Sequence, residues 1–153
     1  MFGTMKRGVK AYANVGLETG IAAASPHQLI VMLYDGALVA LLSAKTNIAA
    51  NNIAAKGTAI SKAITIIDNG LRASLDKDAG GEIAANLDAL YDYMSRRLLH
   101  ANIKNDVAIL DEVHRLLSDL REAWVQIGGK VGQQAAQAAA ASPMPKAATL
   151  VSA

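Results

Sequence analysis

The sequence predicts an all-α fold, an antiparallel up-down-up-down four-helix bundle with an N-terminal arm and a mobile C-terminal tail. Three observations carry this prediction. The composition is 52% hydrophobic but only 4% aromatic, which favours helices over sheets. Apolar residues recur at helical spacing in four separate segments. The connections between these segments are short and polar, as between antiparallel neighbours. We expect three regions: an arm (1–24), the helical bundle (25–129) and a low-complexity tail (130–153).

The arm contains a few apolar residues, Val9, Tyr12 and Leu17 among them, and several glycines that interrupt any long helix. Two interpretations fit this pattern. The segment is either a loosely ordered terminus or an arm that lies in a groove of the bundle.

The first helix is predicted to run from about Ser25 to about Asn51. Ser25 suits the N-cap, Pro26 suits the first helical position, and Gln28 is placed to close a capping box. The apolar residues that follow cover more than the stripe of roughly 100° that a surface helix normally shows. This helix is therefore either buried on several sides or keeps one apolar face for a partner.

The second helix is predicted to begin at Thr58, which suits the N-cap. The connection that precedes it ends with Lys56-Gly57-Thr58. Its buried stripe is Ile60, Ile64, Ile67, Leu71 and Leu75. Because the stripe stays in phase across Asp68-Asn69-Gly70, we predict one helix here despite a turn-like sequence. Ile53 and Ile66 fall off the stripe and are candidates for an outer surface.

The third and fourth helices are predicted at about 82–102 and 106–127. The third follows a Gly-rich connection (77–81), and its stripe is Ile83, Leu87, Leu90, Met94 and Leu98. The stripe of the fourth helix is Leu110, Val113, Leu117, Leu120, Trp124 and Ile127. Gly128-Gly129 is predicted to end the fourth helix. A helix that persists through Ala141 stays open as an alternative, although the Gln/Ala-rich sequence there offers no packing face.

Charge and composition argue against several classes of protein. All 13 acidic residues lie within residues 11–127, and no concentrated basic face appears, so we expect no nucleic-acid partner. The absence of cysteine excludes disulfides and thiolate metal sites. The longest apolar run, Leu29–Ala44, contains Asp35 and is shorter than the roughly 20 residues of a membrane span. No apolar segment follows Lys6-Arg7 as in a secretory signal. We predict a cytoplasmic protein without direct membrane insertion.

Catalytic chemistry is not indicated. Asp111 and His114 are spaced like a metal-binding pair on a helix, but a di-iron bundle needs two such pairs. We therefore predict no enzyme, no metal and no cofactor. His114 keeps one alternative open, a helical signalling bundle that acts in histidine phosphotransfer or as an adaptor.

Several short stretches occur together in the order found in one protein family. They are Lys10-Ala-Tyr-Ala, Ser25-Pro-His-Gln-Leu-Ile, Met32-Leu-Tyr-Asp-Gly-Ala, Lys62-Ala-Ile-Thr-Ile-Ile-Asp, Gly80-Gly-Glu-Ile-Ala-Ala-Asn-Leu, Leu90-Tyr-Asp-Tyr-Met and Ala123-Trp. In these motifs the chain resembles the flagellin-specific export chaperones, the FliS family of flagellar type III secretion. The resemblance covers about residues 9–127.

The resemblance implies a helical bundle without catalytic activity that binds the disordered C-terminal segment of newly made flagellin. Such a protein prevents premature polymerisation and presents flagellin to the export gate in the membrane. The family's arm covers part of the binding surface, and Val9 and Tyr12 match arm positions that also engage the gate; we add Leu17 to the arm. A homodimer of the free protein is kept as an alternative to a monomer.

The flagellin-binding groove is predicted at Ile53, just before the second helix, and at Ile60, Ile64 and Ile67 on that helix. An apolar surface beyond the needs of the core is the kind that binds a partner helix. For Ile60, Ile64 and Ile67 a core position stays open, because the same residues also form a good core stripe.

Overall fold

The computed structural model describes the backbone of residues 25–141 and the side chains of residues 25–128. Within that part of the chain all regular structure is helical, and the predicted four-helix bundle is confirmed. The helices are α1 (Pro26–Ala49), α2 (Ile53–Thr65), α3 (Lys77–Lys104) and α4 (Val107–Ala141). A π-helical segment (Ile66–Arg72), here called the π segment, continues α2.

The start of α1 is as predicted. The Ser25 hydroxyl accepts from the Gln28 backbone N–H at 3.1 Å, and the Gln28 side chain accepts from the Ser25 N–H at 2.9 Å. This capping box satisfies two N–H groups that an uncapped helix leaves unpaired. After Ala49 the chain reverses at Asn51, whose φ of 56° is left-handed.

The prediction that α2 begins at Thr58 is wrong. The helix begins at Ile53, because the Asn52 side chain caps it by accepting from the Ala55 N–H at 3.2 Å. Thr58 lies inside the helix, and its hydroxyl donates to the Ala54 carbonyl oxygen.

The continuation of the second helix past Asp68-Asn69-Gly70 is confirmed, but its hydrogen bonding changes there to the wider π pattern. The buried positions nevertheless keep ordinary helical spacing, since Ala59, Ala63 and Ile66 lie on one side of the helix and are all buried. The placement of Ile66 on an outer surface is therefore wrong, because the buried face is wider than the single predicted stripe and Ile66 packs against α1. Its Cδ1 lies 3.3 Å from the position a Cβ would take on Gly36 of α1.

α3 begins earlier than predicted. The Asp76 carboxylate accepts from the N–H groups of Asp78 and Ala79 and caps a first helical turn at Lys77. Gly81, with φ 53° and ψ −129°, then kinks the helix, a conformation that glycine adopts without steric cost. Ile83 follows the kink and is exposed, so its assignment to the buried stripe is wrong.

The backbone of α4 is helical through Ala141. The predicted end at Gly128-Gly129 is therefore wrong, and the continuation that the sequence left open is observed. Leu110, Val113 and Leu117 are buried as the stripe predicts, whereas Ile127 is exposed. The predicted arm (1–24) and the predicted mobile tail (130–153) both lie outside the residues whose side chains are described.

The core lies between all four helices, and polar contacts between side chains show which residues of neighbouring helices lie side by side. α1 packs most extensively on α2 and also against α4. Lys45 of α1 contacts Asp111 of α4 at 3.1 Å, and Arg97 of α3 contacts Glu112 of α4 at 2.8 Å. These ion pairs show that neighbouring helices are antiparallel and which turns of each helix lie beside one another.

An ionic cluster joins the π segment to α3. Arg72 donates to Asp88 at 2.7 Å and to Asp92 at 3.3 Å, and Lys77 lies 3.3 Å from Asp88. The hydrogen bond from Arg72 holds the pKa of Asp88 below its usual range. The cluster therefore stabilises the π segment most when Asp88 is ionised.

Candidate partner-binding surfaces

α1 has both a buried side and an exposed apolar face. Its inner residues, such as Leu33 and Leu41, are almost completely buried. On the opposite side Met32, Val39 and Leu42 form what we call the α1 outer face, with 39%, 65% and 51% of their surfaces exposed. The two alternatives raised by the sequence are thus both realised: the helix supplies core and also keeps an apolar face.

A single ion pair interrupts the α1 outer face. Asp35 lies between its residues along the helix, and the Arg121 side chain of α4 donates to the Asp35 carboxylate. Both side chains are partly exposed, so the pair contributes little stability. It does hold the later part of α4 alongside the α1 outer face.

The four residues of the predicted groove separate into two pairs. Ile53, at the start of α2, is 49% exposed, and Ile64 is half-buried against the core. Ile60 and Ile67 have no exposed surface. This corrects their placement in a surface groove: as folded, both side chains fill the space between helices, so the core position left open by the sequence is the one they occupy.

The predicted arm residues, Val9, Tyr12 and Leu17, lie outside the described residues. What the structure does describe is the point where the arm joins the bundle, at the start of α1. There the His27 ring stacks on the Trp124 ring of α4, with centroids 5.0 Å apart and planes 9° from parallel. The Trp124 indole N–H also donates to the His27 carbonyl oxygen at 3.2 Å.

Gly128 completes this contact. A Cβ at residue 128 would lie 1.9 Å from His27 Nε2, so only glycine leaves room for the ring in its observed position. The His27 ring is therefore held between Trp124 and the backbone of α4. We call these three residues the His27 clamp; it fixes the start of α1, and with it the origin of the arm.

Tyr34 and Tyr91 form a buried pair between α1 and α3, with their hydroxyl oxygens 2.5 Å apart. Burial raises the pKa of both hydroxyls. The two buried hydroxyls are each other's hydrogen-bond partner, as buried polar atoms require. The pair acts as a positioning contact between two helices.

Metal-binding chemistry is not assembled in the described part of the chain. Residues 25–128 contain no group of three or more histidine and carboxylate side chains that could hold an ion. Asp111, one half of the pair noted in the sequence, contacts Lys45 instead. By length and composition alone α1 could cross a membrane, but its inner side packs in the core of the bundle.

Comparison with known proteins decides the family. The profile of the family described as "Flagellar protein FliS" matches residues 8–131. The chain belongs to the FliS family.

Three of its relatives share one name. A flagellar secretion chaperone FliS from Salmonella typhimurium is 56% identical over 127 residues, covering 83% of this chain and 94% of the relative. The Escherichia coli K12 protein of the same name is 48% identical over 118 residues, covering 77% and 87%. The Bacillus subtilis one is 38% identical over 109 residues, covering 71% and 80%.

FliS proteins are chaperones and not enzymes, so the prediction of a non-catalytic protein is confirmed by membership of the family. The relatives' names likewise favour a flagellar export chaperone over the phosphotransfer or adaptor alternative. The matched region includes the arm positions Val9, Tyr12 and Leu17.

The sequence did not identify four exposed apolar residues as candidates for a partner surface. Val39 and Leu42 on α1, and Leu99 and Ile103 on α3, are large apolar side chains with more than half of their surface accessible. Leu99 and Ile103 lie off the predicted buried stripe of α3, and this position is the sequence feature that indicates their exposure. On α1 apolar residues occur on so many sides that no stripe separated the outer face from the core.

Proposed function

We propose that this protein is a cytosolic chaperone that binds the disordered C-terminal segment of flagellin, prevents its premature polymerisation and delivers it to the flagellar type III export gate. Membership of the FliS family supports a flagellar export chaperone. The observation that supports a segment-binding role is the α1 outer face, which is apolar, accessible and not required by the core.

The chemistry of this face suits a disordered segment. Such a segment loses conformational freedom when it binds, and burial of apolar surface must exceed that cost at about 25 cal/mol per Å². Val39 and Leu42 offer surface that the segment can cover without unfolding the bundle. A segment that adopts a helix on binding would place its own apolar residues against them.

We assign the contact on α2 to the accessible members of the predicted groove, Ile53 and Ile64. Ile60 and Ile67 support it from inside, because they hold α2 against the other helices. A partner would reach these two only if α2 moved.

The arm completes the proposal. Val9, Tyr12 and Leu17 cover part of the apolar surface in the free protein and are displaced by flagellin, after which Val9 and Tyr12 engage the export gate. The fixed position of His27 supports this role, since the arm starts from a rigid point on the bundle.

The deciding experiment compares intact flagellin with flagellin that lacks its C-terminal segment. The purified chaperone is mixed with each, and complexes are separated by size-exclusion chromatography. We expect a complex with intact flagellin alone. Equal binding of both forms would place the contact elsewhere on flagellin, and binding of neither would contradict the proposed function.

A further inference from the structure

Contacts between the helices show which turns lie at each end of the bundle. At one end Lys45 of α1 lies beside Asp111 of α4. At the same end the buried Lys56 amine donates to the Asn102 carbonyl oxygen at 2.8 Å and to the Asn105 side chain at 2.6 Å. The α1–α2 turn and the α3–α4 turn therefore lie together.

These ends carry charge of opposite sign. The basic end (residues 38–66 and 96–117) has seven Lys and Arg against three Asp and Glu. The acidic end (residues 25–37, 67–95 and 118–128) has nine Asp and Glu against three Arg and Lys. The described bundle is thus electrically polar along its axis, although its net charge is small.

Protein groups already engage all three acids of the basic end. Asp111 is held by Lys45, Glu112 by Arg97, and Asp106 accepts from the first N–H groups of α4. The bases at this end that project outward include Lys62, Arg96, Lys104 and Arg115, all of them exposed.

A protruding apolar ridge accompanies these charges. Leu99 and Ile103 are one turn apart near the end of α3, with 54% and 77% of their surfaces exposed. Arg96 and Lys104 flank them; Arg96 also pairs with Asp92 at 2.9 Å, and 78% of its side chain is exposed.

We propose that the basic end docks on an anionic membrane surface, with Leu99 and Ile103 entering the headgroup region and Arg96 and Lys104 beside the lipid phosphates. Apolar side chains flanked by bases on an exposed helix are typical of interfacial membrane contact. The charge complementarity selects an anionic over a zwitterionic surface. The acidic end is repelled by the same surface, so the bundle docks in one orientation. This inference goes beyond the proposed function and needs no flagellin.

The test uses the full chain and extruded vesicles, either phosphatidylglycerol mixed with phosphatidylcholine or phosphatidylcholine alone, in a cosedimentation assay. We expect weak binding to the anionic vesicles only. Because each base near such a surface is worth roughly a fivefold change in affinity, Lys104→Glu should weaken binding by about tenfold or more. Raising the salt concentration should also weaken binding to the anionic vesicles.

Matched variants separate this surface from the rest of the chain. Ile103→Ser should weaken vesicle binding severalfold, while Ile83→Ser, a similarly exposed isoleucine at the acidic end of α3, should not. Circular dichroism verifies that each variant keeps its helicity.

Three results would overturn the proposal: no binding to anionic vesicles, equal binding to both kinds of vesicle, or equal effects of the variants at the two ends. Equal effects would assign the binding to bases elsewhere, such as those of the arm. If the basic end does not bind vesicles, its charge would instead favour an acidic protein as its partner.

Discussion

The His27 ring lies parallel to the Trp124 indole, 5.0 Å away, in a space that exists only because residue 128 is glycine. This contact joins the first turn of α1 to the last described side chains of α4. It also explains how the bundle fixes the point from which the arm departs.

Gly128→Ala should displace the His27 ring and disrupt its stack on Trp124. Such a stack contributes about 0.5–1.5 kcal/mol, which offsets the gain in stability that alanine normally brings to a helix.

Gly57→Ala is the matched control, because nothing lies within 4 Å of its added Cβ. We expect Gly57→Ala to stabilise by about 0.5–1 kcal/mol, and Gly128→Ala to fall short of that by about 1 kcal/mol. Urea unfolding measures both. Unchanged Trp124 fluorescence in Gly128→Ala would show that the stack survives.

Tyr34 and Tyr91 provide a double-mutant cycle. Tyr34→Phe or Tyr91→Phe leaves the remaining hydroxyl buried without its partner, which should cost about 1–3 kcal/mol in each case. The double variant removes both hydroxyls and should cost clearly less than the sum of the two single changes. Additive losses in denaturant unfolding would mean that the two hydroxyls do not satisfy each other.

Asp88→Asn tests the ionic cluster on the π segment. The pKa of Asp88 is lowered in the folded state by Arg72, so its contribution is complete above the usual aspartate pKa and is lost as the pH falls through the lowered value. The wild type should therefore exceed Asp88→Asn in stability at neutral pH, and the difference should shrink below about pH 4. Unfolding in urea across this range measures it. Asp119→Asn, at an exposed site on α4, is the control, and a difference independent of pH would contradict this role of Asp88.

Deleting residues 1–17 tests the proposed covering of the apolar surface by the arm. The deletion should raise the binding of a hydrophobic dye while far-UV circular dichroism stays nearly constant, because the capping box at Ser25 and the His27 clamp are left intact. Dye binding equal to that of the full chain would show that the arm leaves this surface open.

Local rules recovered much of the fold from the sequence. The capping box at Ser25 depends only on residues within one turn, and the inner part of the α4 stripe depends only on periodicity. The start of α2 was missed because Asn52 and Thr58 are both competent caps, and only the contact of Lys56 with the end of α3 favours the earlier one. Ile66 was misplaced because the buried face of this helix is wider than one stripe: Ile66 packs against Gly36 of α1, a contact that local spacing does not reveal.

The candidate surfaces were harder to predict than the fold. Ile60 and Ile67 have the same chemistry and spacing as an exposed stripe, and their burial is decided by neighbours distant in sequence. Val39 and Leu42 are as apolar as the core residues beside them. Which side of α1 faces water depends on where α2 and α4 pack, and this is a property of the assembled bundle.

Calorimetric titration of the flagellin C-terminal segment into the wild type and into Val39→Asp, at several temperatures, tests the central claim most directly. We expect a negative heat-capacity change and weak salt dependence for the wild type, because apolar burial drives binding. Val39→Asp should remain folded, since the site is largely exposed, and should lose binding; Ile60→Asp should unfold, since it buries an unpaired charge. Absence of binding to the wild type at tens of micromolar, or unchanged affinity in a folded Val39→Asp, would contradict the account.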